Sequence, residues 1–506
     1  MSVQVDQTKL ASFKAYIRKM KQYEEAIALI YWDMRTGAPK KGIETRSEVV
    51  GELSTEVFRM STSEEMGAYL AYFIEPAQLD QLDTISKKMV LEAKKDYDRS
   101  KKIPADKYQA YVVLTSQAES AWEEAKHKSD WASFQHYLEK IVATTKEFIE
   151  LWGYEGNKYN TLLDMYEPGM TVEKLDQVFG ELREKAVPLL QRIQASAHQP
   201  ERSFLEQEFE ISKQKQFSLS ILKQMQYDFD AGRLDETVHP FATALNPGDV
   251  RITTRYLLND ITSALFGTIH EGGHALYEQN ISNDLVGTNL CTGTSMGIHE
   301  SQSRFWENMI GRSKGFWNRY YGELQTLFSG QIDQVDVDTF YKAINHIEPS
   351  LIRIEADELT YNLHIMIRYE LEKGLINDTI QVADLPEAWN AKYQEYLGVV
   401  PSHDGEGVLQ DVHWSGGAFG YFPSYSLGNM YAAQFTNTMR KELPNFDQLI
   451  EEGNLAPIKE WLTEKVYQYG KMLTPNEIIK QVTGEDLNPD YLIAYLEDKY
   501  KEVYAI

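Results

Sequence analysis

The stretch NDITSALFGTIHEGGHALYEQ, residues 259–279, determines how the rest of the chain is interpreted. Its apolar residues recur at steps of four, four and seven, which is the periodicity of one face of an α-helix: Ile261, Leu265, Ile269 and Leu276. Asn259 or Asp260 can cap the start of this helix. Gly272 and Gly273 lie inside it, where each costs about 1 kcal/mol relative to alanine. We therefore expect another backbone or a substrate to come close to the helix there.

Two histidines and a glutamate on this helix have the spacing of a catalytic metal site. His270 and His274 are four residues apart, so both imidazoles project from one side of the helix, one turn apart. Two imidazoles so placed can reach one zinc ion at about 2.0–2.1 Å. Glu271 lies about 100° further round the helix, where its carboxylate can hold a water on the metal without coordinating it. This H-E-x-x-H pattern predicts metal-assisted hydrolysis of a peptide bond.

A catalytic zinc needs a third protein ligand, and the residues alone leave its identity open. The pattern H-E-x-x-H-x-x-G-x-x-H is absent, because Tyr277 and Asn280 stand where glycine and histidine are required. The remaining source is a second helix, and the segment 296–311 offers three candidates: His299, Glu300 and Glu307. Periodicity does not choose among them. Cys291 is a theoretical ligand, but a lone cysteine is more often a small buried residue.

The composition indicates a globular protein without a nucleic-acid partner. The hydrophobic share is 42%, and 51 basic residues against 76 acidic ones give a net charge of −25, which repels phosphate backbones and anionic membranes. A single cysteine excludes an intrachain disulfide and favours a reducing, cytoplasmic setting. The N-terminal stretch MSVQVDQTKL has no basic start or apolar core, so we expect no signal peptide. No apolar run approaches the roughly 20 residues that span a membrane.

Helical periodicity dominates the rest of the chain. Apolar residues recur at helical steps near the N-terminus and in five further stretches: 64–98, 105–128, 131–152, 173–198 and 203–228. The segment DVRITTRY, residues 249–256, alternates and predicts a short strand. Eight of the eleven histidines lie between residues 239 and 413. We therefore expect one domain of residues 1–506, in which 1–238 form a mostly helical wall and 239–430 hold the active site.

Ordered motifs along the chain resemble those of the zinc metallocarboxypeptidases of the carboxypeptidase Taq family. HEGGHALYEQ is followed, 26 residues after His274, by Glu300 within HESQSR. The other motifs that match in order are YWDMRTGAPKKG at 31–42, HPF at 239–241, DVRIT at 249–253, IRIEAD at 352–357 and GVLQDVHW at 407–414. The resemblance spans nearly the whole chain, and no motif departs from the family's pattern.

The resemblance implies a mainly α, elongated single domain with a deep central groove, the metal at its floor, and a small β-sheet near the active site. Proteins of this family remove single residues from free peptide C-termini with broad specificity, are cytoplasmic and usually form homodimers. By the same match Glu300 is the third ligand beside His270 and His274. One Zn²⁺ per chain is the implied ion, with Co²⁺ as a possible substitute.

The resemblance also implies roles around the metal. Glu271 is the expected general base, which takes a proton from water and returns it to the leaving amine. His413 and Tyr421 resemble the histidine and tyrosine that related groove-shaped zinc peptidases place over the tetrahedral oxyanion. Tyr425 is the reserve for this contact with the substrate. The alternative for all three is an aromatic, glycine-rich packing segment. We interpret His346 and His364 as structural.

Recognition of a free C-terminus requires a cation near the metal, and arginine can bind a carboxylate through two parallel hydrogen bonds. Arg353 and Arg251 are the arginines inside matched motifs. We favour Arg353, because in proteins that this chain resembles its motif and GVLQDVHW help to close the end of the groove. The alternative for both is an ion pair with a nearby acid, such as Glu355, Asp357 or Asp249.

Two other functions remain open from the sequence. A zinc oligoendopeptidase that cuts inside short peptides would have the same helix, metal and groove, and would differ only in not recognising the terminal carboxylate. A helical scaffold with a structural zinc is disfavoured, because structural zinc sites normally have four protein ligands that are rich in cysteine.

Overall fold

The first half of the chain folds almost entirely into helices, as its periodicity predicts. The structure, a computed structural model, describes residues 5–506; Met1 to Gln4, which begin the stretch expected not to be a signal peptide, lie outside it. The helices of this half are α1 Gln7–Thr36, α2 Ile43–Ser61, α3 Glu64–Phe73, α4 Pro76–Leu79, α5 Thr84–Lys101, α6 Ala105–Lys128, α7 Trp131–Trp152, α8 Asn160–Tyr166, α9 Val172–Ala195 and α10 Ile211–Gln224.

Two stretches that were predicted as single helical runs are interrupted. The run 64–98 divides into α3, α4 and α5, because Pro76 cannot donate a backbone hydrogen bond and Asp83 starts α5 by accepting one from the N–H of Ser86 at 2.8 Å. The run 203–228 contains only a 3₁₀ turn and α10. Its backbone N–H at Phe209 donates to the carbonyl of Leu258 at 2.6 Å, which holds this segment out of a helix.

The predicted strand at 249–256 is confirmed as the centre of a three-stranded sheet. β1 is Leu234–Glu236, β2 is Ala242–Asn246 and β3 is Asp249–Thr254. β3 lies between the other two, parallel to β1 and antiparallel to β2. Val250 and Ile252 of β3 are fully buried, so the sheet packs one face against the helices and leads directly into the H-E-x-x-H segment.

The second half returns to helices. They are α11 Ile261–Gln279, α12 Met296–Arg304, α13 Lys314–Leu327, α14 Val337–Ile344, α15 Thr360–Ile376, α16 Leu385–Leu397, α17 Pro423–Glu442, α18 Phe446–Glu452, α19 Ala456–Lys465, α20 Pro475–Thr483 and α21 Asp490–Tyr504. A π-helix, Phe305–Gly311, continues directly from α12.

One hydrophobic core cluster extends from Val5 to Tyr504, so both halves belong to one mainly α domain with a small sheet, as predicted. Within residues 5–506, no helix is both long and apolar enough to cross a membrane.

Glycines bring α12 into very close contact with the helices on either side of it. A Cβ atom at Gly273 of α11 would stand 2.6 Å from the carbonyl oxygen of Gln302 and 2.7 Å from the Cα of Ser303. A Cβ atom at Gly428 of α17 would stand 2.6 Å from the Cγ of Glu300. The expectation that another backbone approaches this helix is therefore confirmed at Gly273, where that backbone is α12, whereas Gly272 faces the side chains of Leu222 and Met225.

We predict that Gly273→Ala lowers the free energy of unfolding by about 1–3 kcal/mol, because the added methyl group meets backbone atoms that cannot rotate away. Gly180→Ala is the matched control, since Gly180 lies inside α9 with open space around it. That change should be neutral or stabilise the fold by up to about 1 kcal/mol. Chemical denaturation of the metal-free proteins measures both, and a Gly273→Ala variant as stable as its parent would contradict the close packing.

Candidate metal centre and active site

The H-E-x-x-H residues lie on α11, and this helix is fixed at its start and along its length. Asp260 is the N-cap, and its side chain accepts hydrogen bonds from two backbone N–H groups of the first turn at 2.9 and 3.0 Å. The hydroxyl of Thr268 hydrogen bonds to that of Thr254 on β3 at 3.1 Å. The rings of His270 and His274 come together with centroids 5.0 Å apart. The sheet and the cap therefore set the direction of both imidazoles.

Glu300 on α12 reaches both histidines. Its Oε2 lies 3.7 Å from Nε2 of His270 and 3.5 Å from Nε2 of His274. The three side chains offer ligand atoms within 4.8 Å of one another, the only such group among the described residues. Ligands about 2.0–2.1 Å from one tetrahedral ion stand about 3.3–3.4 Å apart, so this donor set fits zinc after a small contraction. Two imidazoles and one carboxylate would leave a fourth position open, as catalytic zinc requires.

The second nitrogen of His270 is held by Glu307, another of the three residues that periodicity left open. Nδ1 of His270 lies 2.9 Å from Oε2 of Glu307, and an ionised carboxylate can only accept, so Nδ1 carries a hydrogen and, in the neutral ring, Nε2 keeps its lone pair. Arg304 joins the two acids, since its Nε donates to Oε1 of Glu300 at 2.7 Å and its Nη1 donates to Glu307 at 3.2 Å. Oε1 of Glu300 is thereby occupied, while Oε2 faces the histidines.

The second nitrogen of His274 is held by His299, the remaining candidate. The two Nδ1 atoms lie 2.6 Å apart, and Nε2 of His299 lies 3.0 Å from Oε1 of Glu278. Because Glu278 accepts, Nε2 of His299 donates, and its Nδ1 accepts from Nδ1 of His274. This chain of donors leaves Nε2 of His274 free to bind a metal, with His299 behind it rather than beside it.

Burial and pairing push the titrating groups of this cluster in different directions. Burial alone would raise the pKa of Glu300, but Arg304 and His270 hold it well below its usual range. Burial would also raise the pKa of Glu307, but Arg304 and His270 lower it to about 2. Burial lowers the pKa of His274 to about 4. The set at neutral pH is thus an ionised carboxylate with a neutral imidazole at His274, which are the forms that bind a metal.

Glu271 differs from the other carboxylates of the cluster. It is 8% exposed, and burial raises its pKa to about 7. Within the described part of the chain its carboxylate makes no hydrogen bond and no ion pair, so its oxygens are available to a water or a substrate. A carboxylate with a pKa near neutrality has the proton affinity that general base catalysis needs.

The residues expected to contact the oxyanion lie together on the segment between α16 and the start of α17. His413 Nε2 lies 3.2 Å from the hydroxyl oxygen of Tyr425, and the ring of Tyr421 stands 5.5 Å from that of His413 and 5.2 Å from that of Tyr425. Burial first, and then the negative charge of Glu300, raises the pKa of Tyr421. Burial lowers the pKa of His413 to about 4, so its ring is neutral at pH 7.

The two arginines of the matched motifs both form ion pairs. Arg353 is 6% exposed, and its Nε and Nη2 donate to Oδ1 of Asp411 at 2.9 and 2.8 Å. Its partner is therefore an acid of GVLQDVHW rather than one of the neighbouring acids that the sequence suggested. Arg251 pairs through two hydrogen bonds with Asp249, as its alternative interpretation predicted, beside the ring of Trp32.

Sequence reasoning missed several polar residues around the cluster. Arg304 follows Glu300 by four residues, a spacing that predicts an ion pair on one helix face and could have been recognised. Arg368 donates to Oδ2 of Asp411 at 2.7 Å, so Asp411 joins two guanidinium groups. Tyr361 accepts from Nη1 of Arg353 at 3.0 Å and lies under Arg304.

His364 is fully buried beside Tyr393, in agreement with a structural role.

An H-E-x-x-H helix that meets a carboxylate from a second helix defines the class of the metallopeptidases. The model of one family, described as carboxypeptidase Taq (M32) metallopeptidase, matches residues 12–500. Carboxypeptidase 1 of Bacillus subtilis is 54% identical over 490 residues, which are 97% of each chain. Thermostable carboxypeptidase 1 of Thermus thermophilus is 42% identical over 94% of this chain and 95% of its own.

Solved structures agree with the sequence comparison. The crystal structure of the M32 carboxypeptidase from Deinococcus radiodurans R1 superposes with a TM-score of 0.96 at 36% identity, and covers 99% of this chain and 100% of its own. The chain belongs to the carboxypeptidase Taq (M32) metallopeptidase family and is therefore an enzyme, a peptide hydrolase, as predicted.

We predict that Glu300→Ala loses its metal after zinc loading and dialysis, because the variant lacks a charge and a coordination bond. His299→Ala should keep the metal with an affinity lowered by about 10- to 100-fold, since it only orients His274. His136→Ala, which removes an exposed histidine of α7, should keep the parent's metal content. Elemental analysis of the purified proteins measures all three. Equal zinc in Glu300→Ala and the parent would exclude Glu300 as the ligand.

Proposed function

We propose that the chain is a zinc carboxypeptidase that releases single C-terminal residues from peptides with broad specificity. The observation that carries the proposal is the meeting of His270, His274 and Glu300 beside the unpaired carboxylate of Glu271. We further propose one zinc ion per chain, with cobalt as a possible substitute, because two imidazoles and a carboxylate suit either ion. When bound, zinc supplies a Lewis acid that lowers the pKa of water and polarises a peptide carbonyl.

Glu271 acts in this proposal as the general base and then as the general acid. Its carboxylate takes a proton from the attacking water and gives a proton to the leaving amine when the peptide bond breaks. The free oxygens of Glu271 and the raised pKa of its carboxyl group support this role. Glu300 and Glu307 do not suit it, because Arg304 and His270 hold both of them in the ionised state.

His413, Tyr421 and Tyr425 stabilise the oxyanion of the transition state. A neutral imidazole carries one N–H, and a phenol with a raised pKa keeps its O–H at neutral pH. While His413 and Tyr425 contact each other, one of them donates to the other, so Tyr421 and the remaining member of that pair can donate to the oxyanion. The contact between His413 and Tyr425 supports a joint role, in which the histidine fixes the direction of the tyrosine hydroxyl.

Arg353 is the proposed anchor of the substrate's terminal carboxylate. Three of its five N–H bonds are used by Asp411 and Tyr361, which leaves one N–H on each terminal nitrogen. Two guanidinium groups, those of Arg353 and Arg368, share the single charge of Asp411, so this group of three keeps a net positive charge. Arg251 is the weaker candidate, because Asp249 neutralises it alone.

The oligoendopeptidase is the competing proposal, and it differs only in the absence of a carboxylate anchor. We also propose a cytoplasmic setting, which the single, half-buried Cys291 supports, and a homodimer, which light scattering of the purified protein would test.

We predict that Glu271→Gln keeps the parent's zinc content and loses at least about a thousandfold in kcat, since no base remains to take the proton. The carboxylate of Glu271 has no ion-pair partner, so its replacement by an amide should leave the fold intact. Steady-state hydrolysis and elemental analysis of the same preparation measure the two quantities. A variant with full zinc and the parent's kcat would remove Glu271 from the mechanism.

We predict that the parent cleaves a peptide at least about a hundredfold faster than the same peptide with a C-terminal amide, because the amide cannot form the charge-assisted pair. In Arg353→Ala this preference should fall to less than about threefold. The acid-to-amide ratio is the measured quantity, since it does not respond to a general loss of folded enzyme.

Arg251→Ala is the matched control for this ratio and should keep the parent's preference. If Arg251→Ala alone loses it, the anchor is Arg251. Equal cleavage of acid and amide by the parent would favour the oligoendopeptidase instead.

A further inference from the structure

Glu372 is a buried carboxylate that has no part in the mechanism above. It lies on α15 with 0% exposure and accepts three hydrogen bonds: from the hydroxyl of Tyr159 at 2.5 Å, from Nε1 of Trp414 at 2.8 Å and from the backbone N–H of Gly420 at 2.8 Å. Burial raises its pKa to about 7, against the effect of these three donors. A buried carboxyl group calls for an explanation, because its burial costs free energy that its hydrogen bonds must offset.

The three donors connect Glu372 to both sides of the proposed oxyanion site. Trp414 directly follows His413, and Gly420 directly precedes Tyr421. The segment between them contains no helix or strand, and its backbone is held by turn hydrogen bonds, such as that from the N–H of Ala418 to the carbonyl of His413 at 2.9 Å. Glu372 accepts one hydrogen bond from each end of this segment, through Oε1 at one end and Oε2 at the other.

A second contact presses the same segment against the first half of the chain. Gly420 has a φ of +90°, and a Cβ atom there would stand 2.7 Å from the carbonyl carbon and oxygen of Leu162. The ring of Tyr166 meets the ring of Tyr421 edge to face, with centroids 5.1 Å apart. The backbone at Gly420 is therefore confined from one side by α8 and from the other by Glu372.

We propose that Glu372 is a positioning residue that fixes His413 and Tyr421 in the geometry needed to stabilise the oxyanion. It acts through Trp414 and Gly420 and touches neither the substrate nor the metal ligands. The inference rests on the proposed donor role of His413 and Tyr421. It assigns the positioning of these two side chains to the carboxylate of Glu372.

Glu372→Gln is the first test, because an amide cannot accept on both sides. Whichever way the amide group lies, its NH₂ faces either the N–H of Trp414 or that of Gly420, and one end of the segment is released. We expect kcat to fall by about 10- to 100-fold, while KM and zinc content change by less than about threefold. Trp414→Phe removes one donor without a change of charge, and it should lower kcat in the same way if Glu372→Gln does not fold.

A double-mutant comparison separates positioning from a general structural role. In the His413→Gln, Tyr421→Phe background the two donors that Glu372 is proposed to position are already absent, so Glu372→Gln should change kcat by less than about threefold. The same loss in both backgrounds would overturn the proposal. If the His413→Gln and Tyr421→Phe single variants each keep the parent's kcat, the donor role fails and the positioning role fails with it. If they lose kcat and Glu372→Gln does not, only the positioning role fails.

Hydrogen exchange gives a readout that is independent of activity. In Glu372→Gln the peptide 412–422 should exchange at least about tenfold faster, because either the N–H of Gly420 or Nε1–H of Trp414 has lost its acceptor. Glu167→Gln is the matched control, since Glu167 is also buried but accepts from the N–H of Gly297 on α12 at 3.0 Å. It should accelerate exchange around residues 295–299 and leave 412–422 unchanged. Unchanged exchange at 412–422 in Glu372→Gln would overturn the proposal.

Discussion

The candidate metal cluster depends on the close contact of α12 with α11 on one side and with α17 on the other. Helices normally pack with their axes 8–10 Å apart, and a side chain at Gly273 or Gly428 would prevent the observed approach. The tolerance of a metal site is about 0.2 Å in each ligand distance, far less than the displacement that a methyl group would cause. Glycine at these positions destabilises the helices, but it allows an approach of the helices that no larger residue permits.

Most of the buried carboxylates around the site have specific cationic or hydrogen-bonding partners. The chain has a net charge of −25, whereas most carboxylates near the site have specific compensating partners, with Glu271 as the exception. Glu300 and Glu307 share Arg304, Asp411 has Arg353 and Arg368, and Glu372 has three neutral donors. Removing one member of such a pair leaves an unpaired buried charge, so these residues stabilise the fold around the candidate site.

Local patterns predicted the elements, and only long-range packing decided how they meet. The bounds of α6 and α7 and the direction of His270 and His274 follow from periodicity and capping within a few residues. Periodicity could not choose among His299, Glu300 and Glu307, because all three contact the cluster and differ only in which side of it they reach. The partner of Arg353 lies 58 residues away along the chain, beyond any spacing rule.

The count of histidines points to the second half of the chain, where the candidate metal cluster lies, but it says nothing about what holds that cluster in place. The segment 159–167, in the half expected to be a wall, binds both sides of the site: Glu167 accepts from the start of α12, and Tyr159 donates to Glu372. Apolar packing alone tolerates small shifts, whereas a hydrogen bond weakens steeply with distance and angle. Buried acceptors at these two points therefore restrain both the helix of Glu300 and the segment of His413 and Tyr421 against the same stretch of the first half.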